Sequence, residues 1–287
     1  MKLLVDSGST KADWIAIDDN GKVLFTTQTL GLNPEVLHKE QIINRLDDKF
    51  DISQNKLKAS NLFFYGAGCG TDRMKNHLAE IFQEYFVNAK IVVHEDTYAA
   101  VYATTPKDEK AIVCILGTGS NCSYFDGSIL HQKVQSLGYI AMDDGSGNRF
   151  GRHLIRGYYF NTMPVDLAKE FEEEYNLDAD YIKHNLYKES NPNAYLATFA
   201  KFIIKHKDHP YCKKLIKKEL KKYTKNYIMQ FENCNDVPVH FIGSIAFYLK
   251  DELTEILNKY NIKIGNVLRR PIDGLIAYHV LNNVSST

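Results

Sequence analysis

One pattern occurs twice in this chain and limits the fold more than any composition figure. KLLVDSG, DWIAID and VLFTTQT read as three short strands, joined by the small-residue turn DSGST and the turn DDNGK. After PKDEK, 106–110, the best candidate linker, the same order returns. The strand AIVCIL runs into GTGSN, CSYFDGS is a strand and turn, and ILHQKVQ is a third strand. This is a faint internal duplication of a whole lobe, not a short-period solenoid.

Between these blocks the periodicity changes. Residues 35–50 place Val36, Leu37, Ile42, Ile43, Leu46 and Phe50 at helical spacing, and 72–86 does so with Met74, Leu78, Ile81, Phe82 and Tyr85. NLFFYGAG and KIVVHED read as strands, and TYAAVYATT begins a helix. Strands alternating with helices predict a largely parallel sheet covered on both faces. From about 146 to 234 the chain reads as mostly helical. VPVHFIGSIA then returns to a strand, followed by a helix over 246–259, the strand IKIGNVL and a closing helix from about Asp273.

At 287 residues the chain is long for one core, which predicts two lobes. Its 35 basic and 35 acidic residues cancel, so no global field attracts nucleic acid or an anionic membrane. The run KKLIKKELKKYTK holds seven lysines, with Leu215, Ile216, Leu220 and Tyr223 between them, and reads as a solvated helix face. No apolar stretch approaches the roughly 20 residues that span a bilayer, and the N-terminus has no signal-peptide layout. Five cysteines, Cys69, Cys114, Cys122, Cys212 and Cys234, show neither CxxC pairing nor metal-ligand spacing. Reduced thiols and a cytoplasmic location are expected.

Five segments could carry chemistry. Asp6, Ser7, Gly8, Ser9, Thr10 and Lys11 form a turn whose backbone N–H groups and hydroxyls could hold an anion, with Asp6 facing a hydrated Mg²⁺. A polar hairpin is the plainer account of the same residues. LGTGSNC sets Gly117 and Gly119 around Thr118 at a strand end, as a phosphate turn or simply a tight glycine turn. In HEDTYAA, Asp96 ends a strand and opens a helix; it is either an N-cap or a general base. LGYIAMDDGSGNRFG offers Asp143 and Asp144 as helix caps, or Asp143 as a partner for ligand hydroxyls. FIGSIAF leads from a strand into a glycine-opened helix that could receive a base or sugar. Neither glycine turn matches the phosphate-loop or dinucleotide fingerprints.

Taken in order, these segments resemble the superfamily of acetate and sugar kinases, heat-shock chaperones and actin. Within it the chain resembles the BadF/BadG/BcrA/BcrD ATPase family, and most closely the N-acetylglucosamine kinases grouped there. The resemblance covers nearly the whole chain. It is carried by DSGSTKADWIAID, GLNPE, YGAG, HEDTYAA, ILGTGSNC, GYIAMDDGSG, FIGSIA and RRPIDGLIAY. It implies an α/β fold of two related actin-like (ribonuclease H-like) lobes, each a mixed sheet with flanking helices, around a central nucleotide cleft. The lobes would be 1–105 and 106–287, with a helical insertion at about 150–234 and a closing helix able to pack on the first lobe.

The resemblance also implies ATP and Mg²⁺ as cofactors. Asp6, Gly8, Ser9, Thr10, Lys11, Gly117 and Thr118 fall at the phosphates, with Asp6 holding Mg²⁺ through water; Gly243 and Ser244 fall at adenosine. Asp96 falls at the catalytic base. Asn33, Gly68, Gly119, Gly138, Tyr139 and Asp143 fall on the sugar side, where an aromatic face at Tyr139 suits the sugar or its acetyl methyl. MDDGSG in place of the commoner G-D-E-G-S-G, and Cys69 in YGAGCG, depart from the family pattern and bear on the choice of sugar. The zinc-binding Cys/His cluster of the repressor-type sugar kinases is absent from the sequence.

The expected activity is therefore ATP-dependent phosphorylation of an amino sugar, foremost N-acetylglucosamine to its 6-phosphate. The alternative is a BadF-type ATPase that activates a partner enzyme through an iron–sulfur cluster; an actin-like filament or chaperone ATPase is a third class. A sugar-responsive repressor is disfavoured, because the chain begins at its first strand with no DNA-binding helical module. The expected partner is a small-molecule sugar, with no nucleic acid and no membrane, and with room for a homodimer through the helical 150–230 region.

Overall fold

The computed structural model describes residues 1–8, 11–106, 108–189 and 191–281. Two compact units divide the chain: Met1–Pro106 with Arg270–Thr287, and Lys107–Arg269. Each is built on one five-stranded mixed sheet.

In the first unit the strands are β1 (Lys2–Ser7), β2 (Lys11–Ile17), β3 (Val23–Leu30), β4 (Asn61–Gly66) and β5 (Lys90–Glu95), in the order β3-β2-β1-β4-β5. β1 to β3 form an antiparallel meander, while β1, β4 and β5 run parallel. β1 is apolar on both faces, as a central parallel strand must be. Leu3 and Val5 join the core formed with Trp14, Ile42, Leu78 and Phe82. Leu4 faces the other way, onto Ala99 of helix Asp96–Thr104 and onto Ile272 and Leu275 of helix Ile272–Leu281. Those two helices pack tightly: a Cβ on Gly274 would lie 2.4 Å from the Ala103 carbonyl oxygen.

The second unit repeats the plan. β6 (Ala111–Leu116), β7 (Ser120–Phe125), β8 (Leu130–His131), β9 (Val239–Ile242) and β10 (Ile264–Leu268) lie in the order β10-β9-β6-β7-β8. The pairing senses match those of the first sheet strand for strand. Between β8 and β9 the chain is helical, with helices Gly147–Tyr159, Val165–Glu174, Ala179–Tyr187, Pro192–Thr198, Ala200–Lys205 and Pro210–Asn226.

Three elements differ from the sequence expectation. The helix placed over 35–50 begins at Lys39, because the Asn33 carbonyl takes the N–H groups of Val36 and Leu37 in a turn, leaving Val36 exposed. The Gln41 side chain then accepts from the His38 N–H and caps the helix start. ILHQKVQ contributes only Leu130 and His131 to the sheet. The helix over 246–259 is two, Ser244–Tyr248 and Lys250–Asn258, broken at the buried Leu249.

The lysine-rich helix Pro210–Asn226 also contains a fully buried acid. Glu219 is 0% exposed and accepts from Nε2 of His153 (2.9 Å) and Nε of Arg149 (3.3 Å), with Lys222 at 3.4 Å. Burial pushes its carboxyl up, but His153, Lys222 and Arg149 outweigh burial and hold it at about 2. Removing one member of such a network leaves uncompensated buried charge. We expect Glu219→Ala to lose about 3 kcal/mol in denaturant unfolding at pH 7. Because the folded carboxyl is depressed, this contribution is present above the ordinary glutamate range and fades as pH falls toward 2. Equal unfolding midpoints at pH 7 would show the network to be inert.

Candidate functional site

Parallel strands send their carboxyl ends to one edge of a sheet, and in open α/β sheets ligands bind at that edge. In the first unit this edge brings together the ends of β1, β4 and β5. Asp6 stands at the end of β1, in register with Asp13 on β2 and Tyr65 on β4. Asp96 follows β5 and opens its helix, so the helix N-terminus expected at this aspartate is present. Both are half-buried.

Their electrostatics are unusual for carboxylates. Burial, then the charges of Asp96 and Asp13, push Asp6 up to about 7, against the opposing pull of Lys11 and Arg270. Burial and the charge of Glu95 push Asp96 up to about 6, although the N–H groups of Thr97 and of Asp96 itself favour its charged form. Lys11 is engaged elsewhere, its Nζ lying 3.0 Å from the Asp13 carboxylate. A half-buried edge that clusters carboxylates beyond its own cations has the donor chemistry of a divalent-cation site.

The other first-unit positions cluster at the same edge. Gly8 is exposed, and its φ is not positive. Ser9 and Thr10 lie outside the described residues. Ser7 Oγ accepts from the Leu32 N–H at 3.0 Å, which anchors the segment carrying Asn33. Asn33 Oδ1 accepts from the Glu35 N–H and occupies the space that a Cβ on Gly68 would need, 2.0 Å away. Gly68 has φ +82°, so its lack of a side chain serves both the backbone and the asparagine. Cys69 is buried, and its thiol is pushed up to about 12 by burial and then by Asp96 and Glu95.

In the second unit the corresponding edge is made of glycines. Gly117 and Gly119 close a turn through a 3.0 Å bond from the Gly117 N–H to the Gly119 carbonyl, with Thr118 exposed at its tip. Asn148, which sequence reasoning missed, clamps this turn: its Nδ2 donates to the Thr118 carbonyl (2.7 Å) and to Asp143 Oδ2 (2.8 Å). Asp143 Oδ1 accepts from the Ser120 N–H at 3.3 Å. Asp143 is buried at φ +67°, so its carboxylate braces the turn from behind. A Cβ on Gly119 would sit 2.9 Å from Asp143 Oδ2. The helix that follows is capped by Ser146, which accepts from the Arg149 N–H, and not by either aspartate.

Gly243, at the end of β9, has φ +118°, and a Cβ there would lie 2.2 Å from the Leu116 carbonyl oxygen. That contact keeps the ends of β6 and β9 together and opens a cavity of about 500 Å³ beside them. Gly117, Thr118, Gly147 and Ser244 are among its lining residues, as are Lys201, Tyr248 and Arg269. The last three were not singled out from sequence, since only the fold brings them to this edge. Arg269 lies over the Tyr248 ring at 5.6 Å. Gly138 (φ +78°) and Tyr139 do not line this cavity; Tyr139 lines a separate one.

Two topologically matching sheets with glycine- and acid-bearing loops at their carboxyl edges define a duplicated actin-like ATPase fold. The chain belongs to the BadF/BadG/BcrA/BcrD ATPase family, whose model matches residues 5–273. Among solved structures it is similar to a candidate N-acetylglucosamine kinase from Porphyromonas gingivalis, with 36% identity and TM-score 0.92 over 99% of this chain and 100% of that one. A candidate N-acetylglucosamine kinase from Chromobacterium violaceum shares the fold at 14% identity and TM-score 0.67, covering 97% and 98%. So does a ROK family glucokinase from Streptomyces griseus in complex with glucose and AMPPNP, at 14% identity and TM-score 0.58, again covering 97% and 98%. A comparison with curated proteins returned no match.

Gly243→Ala tests the second edge. A side chain at this φ is strained by about 1–3 kcal/mol, and here it also strikes a carbonyl. We expect lower stability by at least that amount and roughly tenfold weaker ADP binding, read by denaturation and calorimetry. An alanine variant that binds ADP as the parent does would separate this glycine from the nucleotide.

Proposed function

We propose that the protein is an ATP-dependent sugar kinase acting on an amino sugar, with N-acetylglucosamine and its 6-hydroxyl as the first candidates. The observation that carries this reading is Asp96, a carboxylate at the parallel edge whose proton affinity is raised to about 6. A base serves best when its pKa lies near the working pH. In the proposed step Asp96 accepts the proton of the sugar hydroxyl as that oxygen forms a bond to the γ-phosphorus of ATP. The bond from phosphorus to the bridging oxygen breaks and ADP leaves. Mg²⁺, held by Asp6 through water, would neutralise phosphate charge.

Gly117 and Thr118 would meet the phosphates through the exposed tip of their turn, together with Gly8, Ser9, Thr10 and Lys11. Gly243 and Ser244 would meet adenosine at the cavity that Ser244 helps to line. Asn33, Gly68, Gly119, Gly138 and Tyr139 would form the sugar side, with Asp143 acting through the turn that it braces. The identity with the Porphyromonas gingivalis protein supports the amino-sugar assignment. The partner-activating ATPase gains no support from the thiols, since all five cysteines are free and buried.

The first test is a panel of hexoses and N-acetylhexosamines with ATP and Mg²⁺, read by ADP release. N-acetylglucosamine should accelerate turnover most, and ATP hydrolysis indifferent to every sugar would overturn the kinase assignment. The second test is Asp96→Asn, which should lower sugar-dependent kcat by about 10²–10⁴-fold while calorimetric sugar binding survives. For the parent, kcat should rise with pH through about 6 as Asp96 loses its proton. The same substitution should raise the melting temperature of the ligand-free protein at pH 7.5. A carboxyl whose pKa is raised by folding opposes folding once pH exceeds its unfolded value, and asparagine removes that charge. A variant that is inactive but less stable than the parent would indicate a structural role for Asp96.

A further inference from the structure

A second cavity in the Lys107–Arg269 unit, of about 410 Å³, shares no lining residue with the one beside Gly117. Helix Pro192–Thr198 stands between them, with Leu196 on the wall of one and Ala197 on the wall of the other. That helix lies hard against helix Gly147–Tyr159: a Cβ on Gly151 would be 1.8 Å from the Leu196 carbonyl oxygen. The glycine therefore sets the partition between the two recesses.

The second cavity has an unbalanced charge. Arg152 and Arg156, one helical turn apart, both line it, with Ile155 between them and Tyr139 and Tyr187 also on the wall. Among the described residues, the arginines in ion pairs are Arg149, with Asp144 and Glu219, and Arg270, with Asp273. Neither Arg152 nor Arg156 is among them. Arg152 donates to the carbonyl oxygens of Tyr139 (2.8 Å) and Ile140 (3.4 Å), which fixes its plane but does not exhaust the five N–H donors of a guanidinium. Arg156 lies over the Phe160 ring, 4.8 Å from its centroid.

Two like charges four residues apart on a helix repel each other, and among the described residues no acid lines the cavity or forms an ion pair with either of them. Guanidinium forks match carboxylates and phosphates geometrically. Aromatic and aliphatic walls with a few convergent polar groups suit a ring-sized body, and the volume lies in the range of small-molecule sites. We infer that this cavity binds a small organic anion, a carboxylate or phosphate group carried on a ring-sized body, held by Arg152 and Arg156. The anion is either a separate effector or an acidic substituent of the sugar that meets Tyr139. The cavity itself does not depend on the kinase assignment.

Isothermal titration calorimetry on the full-length protein, with glucuronate and glucose 6-phosphate as probes and glucose as the neutral control, tests this. Saturable binding of the two anions is expected, at least tenfold weaker in Arg156→Ala and partly restored in Arg156→Lys, with ADP affinity unchanged in both variants. Repeating the titration in saturating N-acetylglucosamine separates the sources. Anion binding that persists identifies an effector site, and anion binding that is competed away identifies an acidic group on the sugar. No saturable binding of either probe, or equal affinity in Arg156→Ala, would overturn the inference. Loss of sugar-dependent ADP release in the parent would count against the proposed kinase activity and leave this result standing.

Discussion

Parallel pairing of three strands is the constraint from which each unit's chemistry follows. Once β1, β4 and β5 run in one direction, their carboxyl ends must share an edge, and whatever follows them in sequence is gathered there. Asp6, Gly68 and Asp96 are up to 90 residues apart in the chain yet occupy consecutive strand ends. The same pairing of β6, β9 and β10 collects Gly117, Gly243 and Arg269. No single segment needs to be a binding site, because the sheet assembles one from unremarkable turns.

Duplication then let the two edges diverge. β1 and β6 hold equivalent positions in their sheets, but β1 carries Asp6 next to its last residue, whereas β6 ends at Leu116 and runs into Gly117. The first edge concentrates carboxyl groups and raises their proton affinity, which suits proton transfer and cation binding. The second edge removes side chains, bringing the backbone at Gly243 against Leu116 and leaving the Gly117–Gly119 turn bare. A symmetric pair of sheets can in this way carry an asymmetric reaction, with one half supplying chemistry and the other binding.

The sequence signals that survived were local. Short apolar strands ending in glycine or acid were legible, as were the two copies of the pattern, because apolar runs and turn chemistry are carried by adjacent residues. The order of strands within each sheet was not, since pairing partners such as β6 and β9 lie more than 100 residues apart. Asp143 was legible as important but not as a brace, because its left-handed backbone and its bond to Asn148 depend on where the Gly117 turn folds back. Asn148 itself directly follows the GSG turn, and its position there was the available signal. Lys201 and Tyr248 gave none, and Arg269 stood only as the first residue of RRPIDGLIAY, since the three come from separate stretches that only the tertiary fold joins.

Glu219 and Asp96 show how to tell a structural acid from a functional one. Burial penalises the charge of both. Around Glu219 the protein supplies His153, Arg149 and Lys222, so the carboxyl ends well below its ordinary range and its charge stabilises the fold. Around Asp96 it supplies a second acid, Glu95, and only backbone N–H groups in opposition, so the carboxyl ends above its range and its charge opposes folding. A chain that can neutralise an acid as fully as it does Glu219, yet leaves Asp6 and Asp96 underneutralised, retains those charges at a cost in stability. That cost is intelligible if the missing positive charge and the proton arrive with the ligands.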